Sequence, residues 1–226
     1  MALPILHIPE GRKPWPVQPL PGGLGLGLVR GRVHEVCGPA RWTLAAMVMG
    51  ESSGPVIWIS PGWAAERIYP AGLVDWADPG RVLFAHARRP EDLLWAMEEA
   101  LRSGAAPLVL ADLAAPPALT PVRRLHLAAE TGAEVARHAG RLPPLGLLLT
   151  PEQGGAAGVE SRWHMAASSS RSSLVERRSA WTLHRLRARL APEAAFHLHH
   201  APADDQGRPR LVGEIWSGAD GSHTGS

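Results

Sequence analysis

The sequence predicts an α/β fold in three layers, with a mainly parallel sheet and antiparallel strands at the carboxyl end. Three observations carry this. From Arg32 on, short β-branched strands alternate with helical stretches, a pattern that implies right-handed crossovers and parallel pairing. One strand, APLVLADL, is apolar throughout, as fits a sheet covered on both faces. After Thr150 the helical stretches stop, and the remaining segments alternate with period two or end in turn residues.

Residues 1–30 carry Pro4, Pro9, Pro14, Pro16, Pro19 and Pro21 and then GGLGLG. Proline at this density opposes helix and central strand, so an extended arm and a flexible turn are expected. RVHEVC is a strand, TLAAMVMG a helix ending near Gly50, and PVIWIS a second strand. In ERIYPAGLVDWA, Pro70 and Gly72 confine any helix to the residues after them. RVLFAH is a third strand. RRPEDLLWAMEEALRSG is the clearest helix: Pro90 suits its first turn, Glu91 and Asp92 its positive end, and Gly104 its exit. Its Leu94, Met97, Ala100 and Leu101 recur at helical spacing. APLVLADL closes on Asp112. Thr120 is expected to cap the next helix, with Pro121 at its first position. LPPLGLLLT is a fifth strand. PEQGGAAGVES is a glycine-rich loop, and SRWHMAAS, SAWTLHRLRARL, AAFHLHH and RLVGEIW read as strands. The expected organisation is an arm over 1–30, an α/β core over 31–168, a Ser/Arg-rich linker over 169–179, partner-binding strands over 180–217, and a disordered tail over 218–226.

Composition narrows the function. The 226-residue chain has one cysteine, Cys37, so an internal disulfide and a cysteine metal cluster are excluded. Its longest apolar runs are far shorter than the ~20 residues needed to span a bilayer, and the proline-broken start does not read as a signal peptide. A cytoplasmic protein with no membrane partner is expected. Lys13 is the only lysine, a bias that a GC-rich genome accounts for. Between residues 161 and 200 there are seven arginines and two acids. That balance fits nucleic acid, an acidic partner or a solvated basic face.

The opening of the core, EVCGPARWTLAA, resembles the mouth of a phosphate loop. Such a loop needs G-x-x-x-x-G-K-[ST], so that successive N–H groups wrap a phosphate and a lysine neutralises it. Here Gly38, Pro39, Arg41 and Thr43 remain, without the second glycine or the lysine, and Trp42 puts a bulky ring in the way. Asp112 stands where a magnesium-orienting acid would end its strand. ATP binding is not expected and no catalytic residue is assigned. His197 and His199 share a strand face but offer at most two metal ligands, so no metal site is expected. Of the nine tryptophans, Trp58 and Trp95 are expected in the core. Trp181, Leu183, Arg185, Arg187 and Trp216 are the candidate partner-binding residues, since tryptophan and arginine together mark binding hot spots. Arg189 joins the arginines as a contact for phosphate or acids.

GLVRGRVHEVCGP, PVIWIS, IYPAGLVDWADPGRVLFAHARRPEDLLWAMEEALRSGAAPLVLADL and the R-R-L-x-L-A-A-E helix at 123–130 together resemble the ImuA family, over about residues 20–167. SAWTLHRLR is similar to that family's carboxyl-terminal W-x-L-x-x-L-R element. The resemblance implies a RecA-like core and induction by the SOS response to DNA damage. It also implies action beside ImuB and an error-prone C-family polymerase in translesion synthesis and mutagenesis, with RecA as a further partner. Nucleoid association during damage would accompany that role. Against the RecA pattern, the phosphate loop is about three residues short, and Gly62 occupies the place of the water-activating acid. The resemblance therefore implies a degenerate ATPase acting as an adaptor, with direct DNA contact left open. Rival readings are a SulA-type inhibitor of cell division, a weak RecA-fold ATPase and a simple DNA-binding regulator.

Overall fold

A computed structural model describes residues 15–168, 179–201 and 210–216. The predicted linker and tail lie outside these residues, except for Ser179, as do the first fourteen residues of the arm.

Eleven strands and three α-helices are present among the described residues. A short hairpin pairs β1 (Val17–Pro19) with β2 (Gly27–Val29). The main sheet comprises β3 (Val33–Cys37), β4 (Val56–Pro61), β5 (Val82–Ala87), β6 (Leu108–Asp112), β7 (Leu145–Thr150), β8 (Ser161–Ala167), β9 (Ala180–Ala188), β10 (Ala194–Ala201) and β11 (Arg210–Ile215). Its spatial order is β11-β10-β9-β8-β3-β7-β6-β4-β5. The strands from β3 through β8 run parallel, and β8 through β11 pair antiparallel. The helices are α1 (Arg41–Gly50), α2 (Pro90–Ser103) and α3 (Leu119–His138). The sequence reading of an α/β fold with a mainly parallel sheet and antiparallel final strands holds.

Alternation along the strands builds two apolar layers. Leu108, Leu110, Leu145, Leu147 and Leu149 face α1, whereas Val109, Ala111 and Leu148 face α2 and α3. The α1 layer continues without a break under the last strands through Trp163, Met165, Trp181, Leu183, Phe196 and Leu198. The 31–168 and 180–217 segments thus share one sheet and one apolar layer.

Four local expectations are corrected. Residues 15–30 are not a loose arm but a hairpin fastened to the core. Gln18, Leu20, Leu28 and Arg30 are buried. Arg30 donates to the Pro107 and Pro143 carbonyls at 2.8 and 3.0 Å, and Gln18 donates to the Glu51 carbonyl at 2.7 Å. Proline limits a ladder's donors, yet three paired residues per strand need few. After Pro70 the chain forms only a 3₁₀ turn, Pro70–Leu73, pinned by buried Leu73 and Ala77. Helix α3 begins at Leu119 with Ala118 at its cap, so Thr120 lies within the first turn and caps nothing. Pro121 is tolerated there because first-turn N–H groups lack intrahelical partners anyway. Trp58 is buried as expected, but Trp95 is 61% exposed. The face of α2 that packs down includes Met97 and Leu101 of the stripe read from the sequence, with Leu93 buried beside them and Leu94 and Ala100 only partly buried.

Candidate functional site

The carboxyl edge of the parallel strands gathers the residues that the sequence singled out. In open α/β sheets this edge is where ligands bind. β3 ends at Cys37, and Gly38 turns the chain with φ of 92°. A Cβ there would lie 2.5 Å from the Met165 carbonyl oxygen and 2.7 Å from the His164 ring, so the close passage of β8 requires glycine. Pro39 comes next, and the Ala40 N–H donates to the Met165 carbonyl at 3.0 Å. Helix α1 then starts at once with Arg41. No stretch of chain is left to wrap a phosphate, and one of the few amide donors at the helix entrance is already engaged.

Asp112, at the end of β6, faces the start of α1. The Trp42 indole N–H donates to its Oδ2 at 3.1 Å, and the Arg41 Nε lies 3.7 Å from its Oδ1. The Arg41 guanidinium also sits over the Trp42 ring, 5.2 Å from its centroid. Burial raises the Asp112 carboxyl pKa, while Trp42 and Arg41 oppose that rise. The Trp42 indole thus hydrogen-bonds the carboxylate, and the Arg41 guanidinium faces it at longer range. Thr43 lies half-buried one residue further into α1.

Beside Asp112 opens a small cleft of about 160 Å³, lined by Trp58, Ser60, Glu66, Arg67, Phe84 and His86 among others. Ser60 Oγ and His86 Nδ1 are 2.9 Å apart, at opposed positions near the ends of β4 and β5. The sequence reading missed this pair. Its signal was there, since each residue lies near the carboxyl end of its predicted strand. Gly62, just beyond, donates its N–H to the Ala87 carbonyl at 2.8 Å, and a Cβ would come within 2.9 Å of that oxygen.

The glycine-rich loop of 151–160 is organised from below by Glu35, which is fully buried. Its carboxylate accepts from Thr150 Oγ1 at 2.7 Å, from the N–H groups of Gly155 and Ala156 at 2.9 and 3.0 Å, and from Arg162. This loop is a built element rather than a slack connection.

The five candidate partner-binding residues separate. Trp181 and Leu183 are buried against the α1 layer, which removes them from any docking surface. Arg185 lies over the Trp163 and Phe196 rings on that same side and donates to the Pro192 carbonyl. Burial lowers its pKa. Arg187 and Trp216 remain exposed. Trp216 rests against His184 and His197, with centroids at 5.8 and 5.3 Å. Period-two alternation predicted the shared face of Trp181, Leu183 and Arg185, but not that this face would be the inner one. Arg189 is 71% exposed in its side chain. Among the described residues, no group of three or more His, Cys, Asp or Glu side chains is placed to hold a metal ion. No helix among them is long and apolar enough to cross a membrane.

These features define a mixed α/β protein with a mostly parallel sheet and an antiparallel extension at its carboxyl-terminal end. No protein-family model matches the chain, and no curated protein matches it. Among solved structures it is similar to SulA from Pseudomonas aeruginosa, with 19% identity and a TM-score of 0.41, over 53% of this chain and 98% of that one.

Proposed function

We propose that this chain is a non-catalytic, RecA-like adaptor in damage-induced translesion synthesis, acting with ImuB and a C-family error-prone polymerase and engaging RecA. One geometric observation supports the non-catalytic part. Trp42 and Arg41 occupy the carboxylate of Asp112 at a helix entrance too abrupt to cradle a phosphate. The pathway and the partners rest on the sequence resemblance to the ImuA family. With its nucleotide chemistry lost, such a fold offers surfaces, and an adaptor works through surfaces.

The test uses purified ImuB and the full chain. Co-purification is expected, together with no ATP turnover and no change on Asp112→Asn. ATP hydrolysis abolished by Asp112→Asn would replace this reading with an ATPase. Failure to bind ImuB would overturn the adaptor. Division filaments on expression, with polymerisation of the tubulin-like division protein blocked, would install the SulA-type alternative in its place.

A further inference from the structure

The R-R-L-x-L-A-A-E stretch of 123–130, on the amino-terminal half of α3, borders a cleft of about 430 Å³. Its walls come from α3, the start of β3, the turn before β8 and the residue just past β9. On α3, Leu119, Arg123 and Leu127 stand four residues apart, so one stripe spans about 12 Å of helix axis. Leu119 is 39% exposed and Leu127 is 64% exposed.

The charges of this cleft are unevenly satisfied. Glu130 is paired with Arg32, and Glu160 lies 3.8 Å from Arg32 and 3.9 Å from Arg189. Both carboxylates are therefore already faced by arginine. Arg123, exposed midway between the two leucines, forms no ion pair or hydrogen bond among the described residues. Arg189 donates its backbone N–H to the Glu160 carbonyl, and its largely exposed side chain has only the long contact with the Glu160 carboxylate. His126, below them, spends its ring on the Gly158 carbonyl and the Val33 N–H. Burial keeps it from charging easily. The accessible surface is thus two apolar anchors bracketing the unpaired Arg123, with the loosely paired, exposed Arg189 beside it.

We propose that this cleft docks an acidic amphipathic helix of a protein partner, with apolar side chains seated on Leu119 and Leu127 and a carboxylate between them meeting Arg123 and Arg189. Charge selects this occupant. A second copy presenting the same stripe would set arginine against arginine. A phosphate backbone would use the arginines but leave both leucines uncovered. A helix with leucine-sized residues two turns apart and an acid midway satisfies both features, by the helix-in-groove mode of recognition. The proposal rests on the adaptor reading above and names the surface through which it works.

The experiment titrates purified ImuB into the full chain and into Arg123→Glu/Arg189→Glu, Leu127→Ser and, as a control on another face, Arg88→Glu. All four positions are exposed, and thermal melts confirm the fold of each variant. The double charge reversal is expected to weaken binding by about tenfold or more and Leu127→Ser by about fivefold, with Arg88→Glu unchanged. A photo-crosslinker placed at position 127 is expected to capture an ImuB segment rich in Asp and Glu. Wild-type affinity in every variant would overturn the cleft while leaving the adaptor reading intact, and so would capture of a neutral or basic segment. Loss with the arginine variants but not with Leu127→Ser would assign the cleft to a polyanion and also overturn the proposal. No binding by the wild-type chain would overturn both readings.

Discussion

At the scale of the residue, buried polar groups carry the sharpest expectations. His34 is fully buried. Its Nδ1 lies 2.7 Å from Ser161 Oγ, its Nε2 lies 3.0 Å from the Val29 carbonyl, and Trp163 donates its indole N–H to the same hydroxyl at 2.8 Å. With the ring neutral and its proton on Nε2, Nε2–H donates to the Val29 carbonyl and Nδ1 accepts from the Ser161 hydroxyl. Burial pushes its pKa down to about 4. The unfolded chain therefore binds a proton that the folded one resists. Stability is full above the ordinary histidine range and falls as the pH drops through about 6.5 toward 4. The loss attributable to His34 should approach about 3 kcal/mol at the acid end. Denaturant unfolding at a series of pH values should show this slope, and His34→Gln should flatten it. An unchanged slope in the variant would refute the assignment. Glu35 makes a companion case. Glu35→Ala strips the partner from Arg162 and leaves the amides of Gly155 and Ala156 unmet. The expected cost is about 3–5 kcal/mol in urea unfolding. Neither role could be read from the sequence. E-V-C reads as strand, but which strand residue lies beneath a distant loop depends on the crossover that brings β7 and β8 to either side of β3.

At the scale of the element, the strands of the main sheet and the three α-helices were legible because their signals are local. Pro90, the acids after it and Gly104 mark α2, and Gly104 adopts φ of 58° at its exit. The hairpin of 15–30 was not legible, because what holds it is remote: Arg30 reaches carbonyls more than seventy residues away. Gly132 is a second such case. It sits within α3, where glycine costs about 1 kcal/mol relative to alanine, and no local motif explains it. The reason is the crossing of α2 and α3. A Cβ on Gly132 would lie 1.8 Å from the Leu101 carbonyl oxygen and 3.1 Å from the Gly104 N. The obstacle is backbone, which cannot rotate aside. Gly132→Ala should therefore destabilise by about 3 kcal/mol rather than stabilise. A rise in melting temperature for this variant would mean that the helices do not cross there.

At the scale of the whole molecule, the question is whether the carboxyl-terminal strands are an appendage or part of the core. The sequence reading set a Ser/Arg-rich linker over 169–179 before the strands of 180–217 and took their tryptophans and arginines as partner-binding. The described strands speak otherwise. β8 and β9 pair from Ser161 to Ala167, and Trp163 and Met165 of the parallel sheet lie in one apolar cluster with Trp181, Leu183, Phe196 and Leu198. Trp76, from the connection between β4 and β5, meets Trp181 and His200 edge-on at 5.7 and 5.1 Å. Deleting everything after Ser179 would expose Trp163 and Met165 and leave β8 as a raw edge. Burial of a large apolar side chain contributes about 1.5–3 kcal/mol. Several such losses together rival the roughly 5–15 kcal/mol that holds a typical domain folded. The truncated chain is expected to be insoluble, or to lack a cooperative melt, whatever its partners. A soluble truncation with a sharp transition near that of the full chain would restore the strands to the status of a separate unit. This sets a rule for locating partner surfaces: truncation here confounds binding with folding, whereas single substitutions at exposed positions such as Arg123, Arg187, Leu127 and Trp216 do not.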